Sequence, residues 1–188
     1  TQSVGISVQP RHPMSPRLVL VGPPGAGKTT VGRLLAQRWS TSFVDTDDLV
    51  QAEGGKSVQQ IFIDDGEPGF RLVERAVVSQ ALSSHDGVLA LGGGAVLDEQ
   101  TRADLHTLPV VWLEASVADL AARVGMNRDR PLLLGNVRAQ LTTLLADRAD
   151  LYREVARWSV DTAGRSADQV ADAVEETINA DAHAGGSS

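Results

Sequence analysis

Residues 18–30 read LVLVGPPGAGKTT, and this stretch limits the fold more than any other part of the 188-residue chain. Gly22, Gly27, Lys28 and Thr29 match G-x-x-x-x-G-K-[ST], a pattern that works between a strand and a helix. The glycines let successive backbone N–H groups turn inward around a phosphate, and the following helix points its positive end at the same place. Lys28 then reaches the β and γ oxygens, and Thr29 offers a hydroxyl to Mg²⁺. The chain has two lysines against fifteen arginines, so lysine here needs a reason. A compact ammonium fits inside a ring of amides where a planar guanidinium does not. Gly25, Ala26, Gly27, Lys28, Thr29 and Thr30 are the expected phosphate contacts, and a plain glycine-rich turn with a surface lysine is the alternative.

Composition narrows the class. The length suits one core, and 42% apolar with 22% charged residues is ordinary for a globular protein. A net charge of -7 and few aromatic residues disfavour a nucleic-acid partner, while leaving small anions open. With no cysteine, disulfides and thiol chemistry are excluded. No apolar stretch is long enough to span a bilayer, and residues 1–16 lack a signal-peptide core. The expectation is therefore a cytoplasmic monomer with no membrane contact. Residues 1–15 and 181–188 are expected to be disordered segments around a folded unit at 16–180.

Apolar runs at 17–21, 42–45, 87–91, 109–113 and 157–161 alternate with longer helical patterns, which predicts a parallel sheet covered by helices. Thr29–Trp39 and 68–84 carry apolar residues at helical spacing, and Ser166 with Gln169 forms a capping box for a last helix. Two stretches interrupt the alternation. Residues 46–66 read as two short helices broken at Gly54 and Gly55, and 124–136 is arginine-rich and interrupted by Pro131. Such insertions are where substrate pockets and lids sit.

The acceptor side is less explicit. Asp45 and Asp47 lie two apart at the end of the second strand, so that if both are extended their carboxylates emerge on one side, one toward a metal and one toward an acceptor hydroxyl. An aspartate that caps the next helix is the alternative. Arg71 and Glu74 are three apart on a predicted helix and can pair, as a site feature or as a surface pair. Gly92, Gly93 and Gly94 follow the third strand and leave room for a ligand to lie on the backbone, or form a sharp turn.

Together, Gly22–Thr30, Asp45-Thr46-Asp47, Gly66-Glu67 with Phe70-Arg71 and Glu74, Gly92–Gly94, Arg130-Pro131-Leu132-Leu133, and Arg148 before Leu151-Tyr152-Arg153 resemble the shikimate kinase family. The resemblance runs from about residue 17 to 178. It implies an α/β sandwich of the P-loop nucleoside-monophosphate-kinase type, with a five-stranded parallel sheet in the order 2-3-1-4-5, a substrate-binding region at about 46–74 and a lid at about 124–136. The implied reaction is ATP- and Mg²⁺-dependent phosphorylation of the 3-hydroxyl of shikimate.

Residue by residue, the resemblance makes Lys28 the phosphate-binding lysine, Thr29 the Mg²⁺ ligand and Asp45 the carboxylate that reaches the metal through water. Asp47 becomes the candidate general base on the ring hydroxyls, and Arg71 with Arg148 would hold the substrate carboxylate. Gly92, Gly93 and Gly94 would lie beside the ring, with Phe62 and Phe70 as its apolar wall. Arg130 would close over the transferring group, Arg123 would pack on adenine, and Arg165 would add a second adenine contact.

Departures from the family pattern are small. The loop GPPGAGKTT is also similar to that of adenylate kinases, Pro68-Gly69 sits where the helix carrying Arg71 should begin, and Arg128 is an extra charge without an assigned partner. A gluconate or adenylate kinase of the same fold, and a non-catalytic nucleotide-binding module, are the competing readings. No N-K-x-D guanine signature occurs.

Overall fold

A computed structural model describes residues 14–126 and 136–185, with backbone alone at 124–126. Five short strands, β1 (Leu18–Val21), β2 (Phe43–Asp45), β3 (Val88–Ala90), β4 (Val110–Glu114) and β5 (Trp158–Asp161), pair in parallel in the order β2-β3-β1-β4-β5. This is the order that the resemblance implies, and each strand lies within a residue or two of its predicted span. The register sets Val19 between Leu89 and Val110, so the phosphate loop leaves the middle of the sheet.

Helices cover both faces: α1 (Lys28–Arg38), α2 (Thr46–Gly54), α3 (Val58–Ser84), α4 (Glu99–Leu105), α5 (Val117–Met126), α6 (Val137–Val155) and α7 (Ala167–Ala184). Successive strand side chains point to opposite faces. Leu18 and Leu20 therefore pack with Leu35 and Val174 under α1 and α7, whereas Val19 and Val21 pack with Val78 and Tyr152 under α3 and α6. That two-sided burial is why β1 is apolar at every position. A smaller cluster of Val50, Ile61, Phe70 and Val77 ties α2 to α3.

The α2/α3 break falls where the sequence places it, with Gly55 at φ 67° as the cap of α2. α3 itself is two helices meeting at Gly66, whose φ of 69° and ψ of 178° are open to glycine at little cost. Pro68 then lies in the first turn of the second helix, where its missing N–H has no partner to lose. The predicted capping box of Ser166 and Gln169 is present.

At the C-terminal end the fold departs from expectation. Residues 181–184 are helical and not part of a tail, because α7 runs to Ala184 and Asp181 pairs with Arg157 at 2.7 Å. Among the described residues, no helix is long and apolar enough to cross a membrane.

Candidate functional site

β1 delivers the glycine-rich loop to the carboxyl edge of the sheet, and α1 begins at Lys28 with no acidic residue in its first turn. No acidic side chain of α1 itself opposes an anion at the helix N-terminus. Lys28 is only 9% exposed, and its ammonium donates to the carbonyls of Gly22 at 2.7 Å and Pro23 at 2.9 Å. Those contacts hold the charge under the arch of its own loop. Residues 24–30 line a cleft of about 520 Å³ that also takes in Asp45, Asp47, Gly92 and Gly93.

The same cleft is lined by Arg123, Thr162, Arg165 and Val170. Arg123 donates to the Gly25 carbonyl, and Arg165 to the Asp161 carbonyl at 3.0 Å. Both predicted adenine-side arginines therefore line the cleft of the phosphate loop, and Arg123 touches the loop itself. Thr162, Ala167 and Val170 were not singled out by sequence, since a buried threonine and a helix start carry no signal of their own.

Asp45 serves two neighbours. One carboxylate oxygen accepts from the Thr29 hydroxyl at 2.6 Å, and the other accepts from the Asp47 backbone N–H at 2.9 Å as the cap of α2. The capping and metal-side readings of Asp45 are thus compatible, because a carboxylate has two oxygens. The condition of extended backbone is met by Asp45 but not by Asp47: the strand ends at Asp45 and the helix begins at Thr46, as the spans 42–45 and 46–66 imply, so Asp47 lies in the first helical turn of α2. It still faces the cleft, now from the helix.

A second cluster of predicted residues is built on the second part of α3. Arg71 donates to Glu74 at 2.7 Å and also pairs with Glu67 at 3.4 Å, while its guanidinium lies over the Phe70 ring at 5.1 Å. Phe62 stacks on Phe70 with centroids 4.5 Å apart, and Phe70 itself is buried. Glu74 is buried, and that burial pushes its carboxyl above the ordinary range, with the Arg71 guanidinium opposing and the Asp47 charge reinforcing the rise. Arg148, from α6, acts on the same carboxyl and lines an adjoining cleft with Glu67 and Leu97.

Gly92, Gly93 and Gly94 sit where these parts meet. A Cβ at Gly92 would be 2.7 Å from Asp47 Oδ1 and 3.0 Å from Glu74 Oε2. One at Gly93 would be 2.6 Å from the Pro24 ring, and one at Gly94 would overlap the Arg71 guanidinium. The turn lacks side chains because Asp47, Glu74, Pro24 and Arg71 occupy their space. Thr46 and Tyr152, which the sequence presents only as motif neighbours, anchor this turn. Thr46 accepts from the Gly92 N–H at 3.0 Å, and Tyr152 donates to the Gly93 carbonyl at 2.5 Å.

Of the predicted residues, Gly25–Thr30, Asp45, Asp47, Gly92, Gly93, Arg123 and Arg165 line one cleft; Arg71 and Arg148 line clefts that share Glu67 and Leu97, Gly94 meets the Arg71 guanidinium, and Phe70 lies under that guanidinium with Phe62 stacked on it. Arg130, Arg128 and most of the predicted lid lie outside the described residues.

Comparisons with known proteins point one way. The shikimate kinase family model matches residues 24–179. The chain is 53% identical to the shikimate kinase of Saccharopolyspora erythraea over 92% of its own length and 99% of the relative's. It is 50% identical to that of Thermobifida fusca, over 88% of this chain and 96% of the relative. Among solved structures, the shikimate kinase of Acinetobacter baumannii in complex with shikimate superposes with a TM-score of 0.85 at 36% identity, covering 89% of this chain and 94% of that one.

Proposed function

The chain belongs to the shikimate kinase family, and from that premise we propose how its residues divide the phosphorylation of the shikimate 3-hydroxyl by ATP. The observation that carries the division is that the phosphate loop, Asp47, Gly92 and Gly93 line one and the same cleft. Donor and acceptor groups thereby share a cavity of substrate size.

On the donor side, backbone amides of Gly25–Thr30 and the Lys28 ammonium hold the β- and γ-phosphates. Arg123 and Arg165 flank the nucleotide at the adenine end. Thr29 and Asp45 suit Mg²⁺: a hydroxyl and a carboxylate 2.6 Å apart at the loop's edge are hard oxygen donors of the kind the ion takes alongside phosphate oxygens. When bound, the ion neutralises charge on the transferring phosphate.

On the acceptor side, Arg71 and Arg148 hold the shikimate carboxylate. Arg71 Nε is buried without a hydrogen-bond partner among the described residues, which supplies one donor for it. Glu74 fixes the guanidinium, while Phe62 and Phe70 border the ring and Gly92–Gly94 let it approach the backbone. Asp47 orients the 3-hydroxyl and accepts its proton as that oxygen attacks the γ-phosphorus. The bond from the γ-phosphorus to the β,γ-bridging oxygen breaks and ADP leaves, giving shikimate 3-phosphate. The family pattern assigns Arg130 to closure over the moving group, where exclusion of water suppresses ATP hydrolysis.

The reading includes a monomer working in the cytoplasm, where ATP is available, with a folded unit that starts near residue 16. A coupled assay comparing shikimate, gluconate and AMP as acceptors tests it. Shikimate alone should be phosphorylated, and phosphorylation of AMP or gluconate in its place would overturn the assignment.

A further inference from the structure

We propose that Tyr152 is a positioning residue of the acceptor site, its hydroxyl holding the glycine turn at Gly93 in one fixed geometry. The proposal rests on the shikimate reading above and adds a residue that touches neither substrate.

Tyr152 lies one helical turn after Arg148 on α6, so the two side chains share a face. Its ring is fully buried in the core, with the Trp112 ring 5.8 Å away. Packing alone would be met by phenylalanine. The hydroxyl does something separate: it crosses to the turn after β3 and donates to the Gly93 carbonyl at 2.5 Å. Burial pushes the phenol up to about 12, with Arg148 and Arg71 acting against the rise, so it remains a proton donor throughout the working range.

Two consequences follow from bond geometry. Peptide units here are trans, so fixing the Gly93 carbonyl also fixes the opposed direction of the Gly94 N–H, beside the Arg71 guanidinium. The turn is held from its other side by Thr46, whose fully buried hydroxyl accepts from Gly92 N–H. Loss of the hydroxyl frees the turn while leaving the phosphate loop's own hydrogen bonds in place.

The test is Tyr152→Phe in the full chain. The KM for shikimate and its calorimetric Kd should rise about fivefold to twentyfold. The KM for ATP should stay within about twofold of wild type, and Trp112 emission should be unchanged, since the ring still packs. A shikimate KM within twofold of wild type overturns the proposal. So does an equal rise in both KM values, which is the pattern of a purely structural tyrosine. Activity of the wild-type enzyme on shikimate tests the proposed function independently, so a failed Tyr152 pattern in an active enzyme counts against this inference alone.

Discussion

Glu74 accepts a hydrogen bond from Arg71 at 2.7 Å while only 4% of the residue is exposed, and its other oxygen crowds the space beside Gly92. Burial raises its carboxyl above the ordinary 4.5, so the folded chain binds that proton more tightly than the unfolded chain. The corresponding stability is present in full below the ordinary value and is lost as pH rises through the raised one. Glutamine cannot titrate. The Tm of Glu74→Gln relative to wild type should therefore increase with pH from about 4 upward and then level off. A difference that shrinks with rising pH in parallel melts would contradict the assignment.

Asp47 faces the cleft from the first turn of α2, with the phosphate loop opposite. Asp47→Asn keeps the shape and removes the base. Its kcat should fall by at least about 100-fold with ATP affinity unchanged within about twofold, as read by steady-state kinetics and calorimetry. Turnover near the wild-type rate would remove Asp47 from the chemistry.

The three glycines of the turn should fail in three different ways, because each would collide with a different partner. Gly92→Ala pushes on the Asp47 carboxylate and should lower kcat, on the order of 100-fold for a displacement near 1 Å. Gly93→Ala meets the Pro24 ring and loop backbone, so the KM for ATP should rise. Gly94→Ala displaces the flexible end of Arg71, so the KM for shikimate should rise with the least loss of Tm. Identical effects in all three would mean that the turn acts only as a fold element.

Arg38 closes α1 onto α7 by meeting Asp168, Asp172 and Glu175 at 3.2, 2.7 and 2.6 Å. Three carboxylates left without that guanidinium repel one another along a single helix face. Arg38→Gln should lower the Tm, and the difference from wild type should narrow at about 1 M salt, where the Debye length is about 3 Å. A salt-independent loss would point to packing and not to charge.

What the sequence made legible was local. The strand–loop–helix unit around Lys28, the break at Gly54 and Gly55, and the Ser166 cap each draw their signal from residues within one or two turns. In the sequence the backbone at Asp47 stays conditional for a local reason too. An aspartate after a strand reads equally as strand end and helix start, and Asp45's cap settles it in favour of the helix.

The remaining choices belong to the tertiary structure. Asp47, Gly92 and Arg148 lie far from Glu74 in the chain, yet the fold brings them to its carboxyl, and burial there raises its hold on a proton. The Thr46 and Tyr152 hydroxyls reach the glycine turn across 46 and 59 positions, and neither residue looks unusual beside its chain neighbours. By itself the sequence determined a phosphate-binding loop on a parallel sheet, because spacing and residue type are enough to cradle a phosphate. Only the fold decided which carboxylate is buried, which arginine it holds and which hydroxyls fix the turn, because burial and long-range hydrogen bonds exist only once the sheet edge and the helices have met.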